Sequence, residues 1–272
     1  MYKIIDIHTH TYPDAIAERA KVALEKFYVF ECEGKGTVSD LSESSKAGGV
    51  VGMLLLSVST NPRQTKNVNL WAAESMKMLI DDGFEVAAFG GIHQDSPDMV
   101  AEVDQIKALG LSGVKIHPDI QGVDIDDERM YKLYALCEGE LPIYFHMGDD
   151  RPEYRFSEAD KLIKVMRDFP RLKVIAAHLG GYCAWDKTKD LVREGGNRIM
   201  FDTSSALWAM PTEKANELVR IIGTDRLMFG TDYPVLHAKS ELELFMKLDL
   251  TEKEREDVLY NNAKKFLNFK SK

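Results

Sequence analysis

A chain of 272 residues with 44% hydrophobic and 29% charged residues has the make-up of an ordinary globular protein, long enough to close one large barrel. Its formal net charge of -9 opposes a nucleic-acid partner, and the basic runs Lys264-Lys265 and Lys270 to Lys272 read as solvated tail. Cys32, Cys137 and Cys183 form no disulfide pattern, no leader precedes the first strand, and the longest apolar stretch, Val50–Val58, is too short to span a bilayer; a cytoplasmic protein without a membrane partner is expected.

The first strand is predicted over Lys3–His10, and it closes on Asp6-Ile7-His8-Thr9-His10. Strict alternation places Asp6, His8 and His10 on one face and Ile5 and Ile7 on the other. The stretch from Phe27 to Gly36 departs from any regular pattern and is expected to be a long excursion folding over the barrel mouth. A second strand over Val50–Val58 precedes a helix striped by Val68, Trp71, Ala72, Met76, Leu79 and Ile80. A third strand over Phe84–His93 is followed by Ser96-Pro97, an N-cap with proline at the first helical position. Strands four and five are expected over Ser112–His117 and Pro142–Met147. Ser157 with Asp160 then resembles a capping box before Leu162, Ile163 and Val165. Strands six to eight occupy Lys173–His178, Arg198–Ser204 and Arg226–Asp232. A fuller capping box, Thr251 with Glu254, opens a last helix striped by Val258, Leu259, Ala263, Phe266 and Leu267.

Eight strands alternating with helices, without linker or composition break, predict an α/β chain folded as a (β/α)8 TIM barrel, with one domain over residues 1–272. The rival, an open doubly wound sheet, lacks a glycine-rich nucleotide loop after strand one.

In such a barrel the reactive groups gather at the C-terminal ends of the strands. Six of the seven histidines fall at predicted strand ends, and His237 alone does not. A single buried histidine is most simply a core residue satisfied by a backbone carbonyl; a whole set at strand ends is not. Imidazole nitrogen and carboxylate oxygen suit Zn2+, and a catalytic zinc keeps one position open. His8, His10, His146 and Asp232 are therefore assigned to one metal ion.

His8-Thr9-His10 on strand one, single histidines closing strands five and six, and Gly230-Thr231-Asp232-Tyr233-Pro234 on strand eight resemble the amidohydrolase superfamily. The nearest likeness is its amidohydrolase-related group, which holds both hydrolases and decarboxylases of the aminocarboxymuconate-semialdehyde type, and it runs from Ile4 to Leu267. The resemblance implies that His8, His10 and His146 hold the metal. It implies that Asp232 binds the metal or its water and shuttles a proton, and that His178 polarises substrate or serves as a second base. One Zn2+ is expected, with Mn2+ as another choice. In some members a carboxylated lysine on strand four bridges two metals, and Lys115 offers that binuclear alternative.

Lys115 and His117 point to one face near the mouth and are candidate substrate contacts; otherwise Lys115 forms a buried ion pair with Asp6 or Asp202. Arg151 or Arg155 in the loop after strand five offers a bidentate clamp for a substrate carboxylate, against the plainer reading of a solvated loop. Tyr12, Tyr182, Trp185 and Trp208 lie just past strand ends as pocket walls or packing. Asp202 divides between substrate hydrogen bonding and barrel packing, and Arg63 is a weaker anion candidate.

The first functional expectation is a metal-dependent hydrolase acting on an amide, lactone or ester of a small molecule through metal-activated water. The alternative is a non-oxidative decarboxylase of an unsaturated or aromatic acid. Compactness, without large insertions, favours the hydrolase. A binding protein with a structural metal is a third class. Metal-dependent nucleases that begin with His-x-His usually place a glutamate at a middle strand end, whereas strand three here ends Gly91-Ile92-His93-Gln94. A homodimer is left open.

Overall fold

The computed structural model describes residues 2–272. Its strands are β1 (Ile4–Thr9), β2 (Val50–Leu56), β3 (Glu85–Gly91), β4 (Val114–Ile116), β5 (Ile143–Phe145), β6 (Val174–Ala176), β7 (Ile199–Asp202) and β8 (Leu227–Met228). All seven sequential pairs are parallel, in the order β1 to β8. The Ile7 amide donates to the Phe229 carbonyl at 2.9 Å and the His10 amide to the Tyr233 carbonyl at 2.8 Å, which closes the last strand onto the first. The fold is thus the predicted (β/α)8 barrel. The ladders are shorter than the expected strands, although some terminal residues keep a neighbouring-strand hydrogen bond, as the His146 amide does to the Ile116 carbonyl at 3.0 Å.

After β1 come α1 (Asp14–Tyr28) and α2 (Val38–Gly48), after β2 α3 (Thr65–Asp81), and after β3 α4 (Met99–Ala108). The short α5 (Pro118–Gln121) and α6 (Glu128–Cys137) follow β4; α7 (Ala159–Asp168), α8 (Thr188–Gly195) and α9 (Thr212–Ile222) follow β5, β6 and β7. Beyond β8 lie α10 (Ala238–Phe245), α11 (Glu252–Glu256) and α12 (Asn262–Phe266), the last two joined through a π-turn over Asp257–Asn261. Among the described residues no helix is long and apolar enough to cross a membrane.

Strand residues sort into two layers. Ile5, Ile7, Leu54, Leu56, Ala87, Phe89, Tyr144, Ile175 and Met228 fill the barrel interior. Their neighbours in sequence, among them Ile4, Met53, Leu55, Ala88, Ile143 and Phe145, pack outward under the helices. Both faces are apolar, as strands covered by helices require.

Four local expectations are corrected. The register of β1 slips between Asp6 and Thr9, so simple alternation fails there. Asp6 does not join His8 and His10; its carboxylate accepts from the Thr231 amide at 3.0 Å and the Thr231 hydroxyl at 2.7 Å. Ser96-Pro97 does not cap α4, because Asp98 does, accepting from the Ala101 amide. Ser157 does not cap α7 either; its hydroxyl donates to Asp119 Oδ2 at 2.5 Å. The C-terminal basic run is not wholly free, since Lys270 exchanges both backbone hydrogen bonds with Val86 at 2.8 Å. The Thr251–Glu254 capping box forms as expected.

The excursion after β1 starts earlier than expected and is mostly helical. α1 spans Asp14–Tyr28, and the irregular part is confined to the link before α2. The helix lies across the barrel mouth and lines the cavity there through Ile16, Ala20, Ala23, Leu24, Phe27 and Tyr28.

Candidate active site

His8 and His10 leave β1 with their rings held by acceptors on their inner nitrogens. His8 Nδ1 lies 2.9 Å from Asp202 Oδ2, and His10 Nδ1 lies 2.9 Å from the Leu56 carbonyl. A neutral imidazole that donates from Nδ1 presents a lone pair on Nε2. These two Nε2 atoms are 3.1 Å apart. Asp232 Oδ1 stands 3.1 Å from the first and 3.5 Å from the second. Three electron-rich atoms therefore crowd one point with no proton between them, an arrangement that a cation relieves. The donor set fits a divalent metal.

Asp202 is the organiser beneath. Its Oδ2 also accepts from the Tyr144 hydroxyl. Its Oδ1 accepts from the His178 amide at 2.8 Å, the Ser204 amide at 3.0 Å and the Ser204 hydroxyl at 2.7 Å. Asp232 is oriented by Ser205, whose hydroxyl donates to its Oδ2 at 2.6 Å, leaving Oδ1 for the histidines. Backbone strain gathers at this spot: His178 (φ 60°), Leu179 (φ 54°), Ser205 (φ 50°) and Asp232 (φ 60°) all sit in the left-handed region. Non-glycine residues there cost energy and mark functional clusters.

Burial pushes His8 well below the ordinary imidazole pKa, and Lys115 beside it reinforces this. His117 and His146 are lowered in the same way, His146 chiefly by burial and then by His117. All three are neutral at physiological pH. Burial opposes charge on Asp232, but the surrounding His8, His10 and His178 outweigh it and hold its carboxyl far below the usual range.

His178 and His146 complete the imidazole row. Ligand atoms of His8, His178 and Asp232 lie within 4.8 Å of one another. His146 stands one step behind, its Nδ1 3.0 Å from His178 Nε2 and its Nε2 3.1 Å from the Gly148 carbonyl. It also groups with His117 and Asp119, and its ring stacks on His117 at 4.0 Å. Gly148 (φ 80°) lets the segment after β5 cross the one after β6 closely, because a Cβ there would meet the Gly181 backbone at 2.5 Å.

Lys115 has no carboxylate within ion-pair distance among the described residues, so the buried pair with Asp6 or Asp202 does not form. Its Nζ lies 3.5 Å from His8 Nε2 and 4.4 Å from the centre of the Tyr144 ring. Burial lowers its pKa to about 8, against the pull of Asp232 and Asp202. Lys115 and His117 both line the cavity.

Arg151 does not serve as a free clamp. Its Nε and Nη2 bind Asp149 at 2.8 and 2.6 Å, and its Nη1 donates to the Phe27 carbonyl at the end of α1. The guanidinium stacks 4.2 Å from the Tyr154 ring and 4.7 Å from that of Phe27. It pins the lid helix to the loop after β5 instead. Arg155 pairs with Glu158 on the surface, and Arg63 is exposed outside the cavity. Tyr12 and Tyr182 line the pocket. Trp185 donates to the His178 carbonyl at 2.8 Å, and Trp208 lies beside Phe30 and Tyr182 at the rim.

Sequence reasoning missed Tyr28. Its hydroxyl lies 2.8 Å from His117 Nε2 and 3.2 Å from His146 Nε2, bringing the lid into contact with the site. Only the Ile16, Ala20, Leu24, Phe27 spacing could have signalled the helix that carries it. The cavity above these groups has a volume of about 620 Å3.

A family model described as Amidohydrolase matches residues 5–269. A curated relative, the decarboxylase orsB of Emericella nidulans, is 25% identical over 240 residues, covering 69% of this chain and 71% of that protein. A 2,6-dihydroxybenzoate decarboxylase solved with 2,6-dihydroxybenzoate superposes with a TM-score of 0.74 at 16% identity, covering 97% of this chain and 99% of that one. The 5-carboxyvanillate decarboxylase of Novosphingobium aromaticivorans, solved with manganese and 4-hydroxy-3-methoxy-5-nitrobenzoic acid, gives a TM-score of 0.66 at 16% identity, with 97% and 96% coverage. The chain belongs to the amidohydrolase family.

Proposed function

We propose that this member of the family is a divalent-metal-dependent, non-oxidative decarboxylase of a hydroxylated aromatic acid. The observation that carries the reading is the convergence of His8 Nε2, His10 Nε2 and Asp232 Oδ1 at the floor of a largely apolar cavity. The names of the relatives favour loss of carbon dioxide over the hydrolysis preferred from sequence. Compactness, one ground for that preference beside the lack of an evident carboxylate pocket, does not discriminate: the dihydroxybenzoate enzyme is covered over 99% of its length.

His8, His10 and Asp232 would hold the cation, with His146, which stands one step behind them through His178, as the further ligand that the resemblance implies; imidazole with carboxylate accepts either zinc or manganese. Manganese accompanies the carboxyvanillate enzyme. When bound, the ion supplies positive charge for the substrate carboxylate and for the electron pair left on the ring. The reaction breaks the ring-to-carboxylate bond, releases carbon dioxide and consumes one proton at the ring carbon. Asp232 and His178, neighbours at the cavity floor, are the groups that carry that proton. Lys115 and His117 orient substrate oxygens from the β4 side, while Tyr28 and the apolar wall exclude water.

The test is a panel of 2,6-dihydroxybenzoate, simple lactones and anilides offered to manganese- and zinc-loaded protein. Carbon dioxide with the matching resorcinol is the expected product. Ring opening or amide cleavage without carbon dioxide would restore the hydrolase reading.

A further inference from the structure

The cavity is larger than a simple ring acid needs. Granting each atom a whole water's share of about 30 Å3, a dihydroxybenzoate of roughly eleven non-hydrogen atoms takes about 330 Å3. The space available is about 620 Å3.

The surplus runs along the lid. Ile16, Ala20, Ala23, Leu24 and Phe27 line the cavity at helical spacing, a stripe about 16 Å long at 1.5 Å per residue. Val58, Val68 and Trp71 also line it from the β2–α3 side, interspersed with the uncharged polar residues Ser57, Thr60, Gln64 and Asn67. An amphipathic helix ordinarily presses its apolar stripe into a core. In α1 only Ala17 of 15 residues is buried, whereas α3 buries six residues of 17. The apolar side of α1 is therefore turned to the cavity, and the alanines at 20 and 23 keep that space open. Apart from histidines and tyrosines, the ionisable side chains lining the cavity among the described residues are Lys115 and Asp232, both at the catalytic floor. Among the described residues no lysine or arginine lines the annex to meet a second carboxylate or a phosphate.

The geometry points to a ring acid that bears an alkyl chain of several carbons, the chain lying against Ala20, Leu24 and Trp71 while the carboxylate reaches His8, His10 and Asp232. This rests on the decarboxylase reading for the reacting end alone.

The experiment compares 2,6-dihydroxybenzoate with its 4-propyl, 4-pentyl and 4-heptyl homologues on manganese-loaded protein. In parallel, calorimetry measures binding of the corresponding 5-alkylresorcinols, which needs no turnover. Each buried methylene is expected to raise kcat/KM and resorcinol affinity by about three- to fourfold. In Ala20→Phe protein, with its fold checked by circular dichroism, that gain per methylene is expected to vanish. Resorcinol affinity that climbs with chain length while no acid is turned over would refute the decarboxylase reading and leave the annex standing. Turnover of the acids with flat or falling dependence on chain length, in wild type, would overturn the annex. So would a full chain-length gain in the Ala20→Phe protein.

Discussion

Replacing Asp202 with Asn separates the positioning of the donor cluster from the cluster itself. Asp202 touches no substrate space; it accepts from five donors, two at Oδ2 and three at Oδ1. An amide group must turn an NH2 toward one of these sets. Facing Oδ1's partners it would meet two backbone N–H groups, so it takes the Oδ2 position, opposite His8 Nδ1 and the Tyr144 hydroxyl. His8 then keeps its hydrogen bond to residue 202 only by accepting at Nδ1, which moves its proton to Nε2; the Ser204 hydroxyl, 2.8 Å from Nδ1, is the competing acceptor that would hold the proton in place. The move to Nε2 places a proton where the crowded point with His10 and Asp232 requires a lone pair. Loss of an outer partner of this kind lowers metal affinity about 10- to 100-fold, or about 1.4 to 2.7 kcal/mol. The assay is competition of manganese-loaded wild type and Asp202→Asn protein against a calibrated chelator, with circular dichroism as the check on folding. A folded variant whose affinity stays within twofold of wild type would refute the tautomer argument.

His146→Ala protein is expected to lose most of its bound metal, whereas His178→Ala protein keeps it and loses turnover; elemental analysis of both would exchange the roles if the losses were reversed. Glu241 is fully buried with neither carboxylate oxygen hydrogen-bonded, and burial, reinforced by Asp6 and Asp202, holds its carboxyl well above the ordinary range. The native state keeps a proton that the unfolded chain releases above about pH 4.3, so this group's contribution falls as pH rises from there toward the folded pKa. Glu241→Gln should therefore lower Tm less than wild type does between pH 5 and 8, and parallel curves would count against it. Arg151→Ala removes the clasp between Asp149 and the end of α1, so amide exchange in residues 14–28 should quicken by about tenfold or more while the barrel strands stay protected, as hydrogen exchange with mass spectrometry can show. Equal protection in both proteins would mean that the lid is held by other contacts.

The barrel was legible because its strands are short apolar runs buried on both faces, and a polar residue follows nearly every one. His8, His10, His117, His146, His178 and Asp232 could be placed at one rim from that pattern alone. What sequence could not resolve was local competition for partners. Arg151 was an open clamp on paper, yet Asp149, two residues away, and the Phe27 carbonyl occupy its fork. Ser157 had the spacing of a cap but finds the buried Asp119, whose carboxyl burial raises to about 6. The slip in β1 put Asp6 with Thr231, because alternation takes no account of an extra residue in a ladder. The lid helix was legible too: Ile16, Ala20, Leu24 and Phe27 keep a helical spacing, but that stripe does not say that it faces a cavity rather than a core.

The account depends on a cation seated between His8, His10 and Asp232. Calorimetric titration of manganese into metal-stripped wild type, His10→Ala and Asp232→Asn proteins tests it most directly. The expected result is one tight equivalent for wild type, with affinity lower by at least tenfold in both folded variants. Equal binding in all three, or none in wild type, would contradict it.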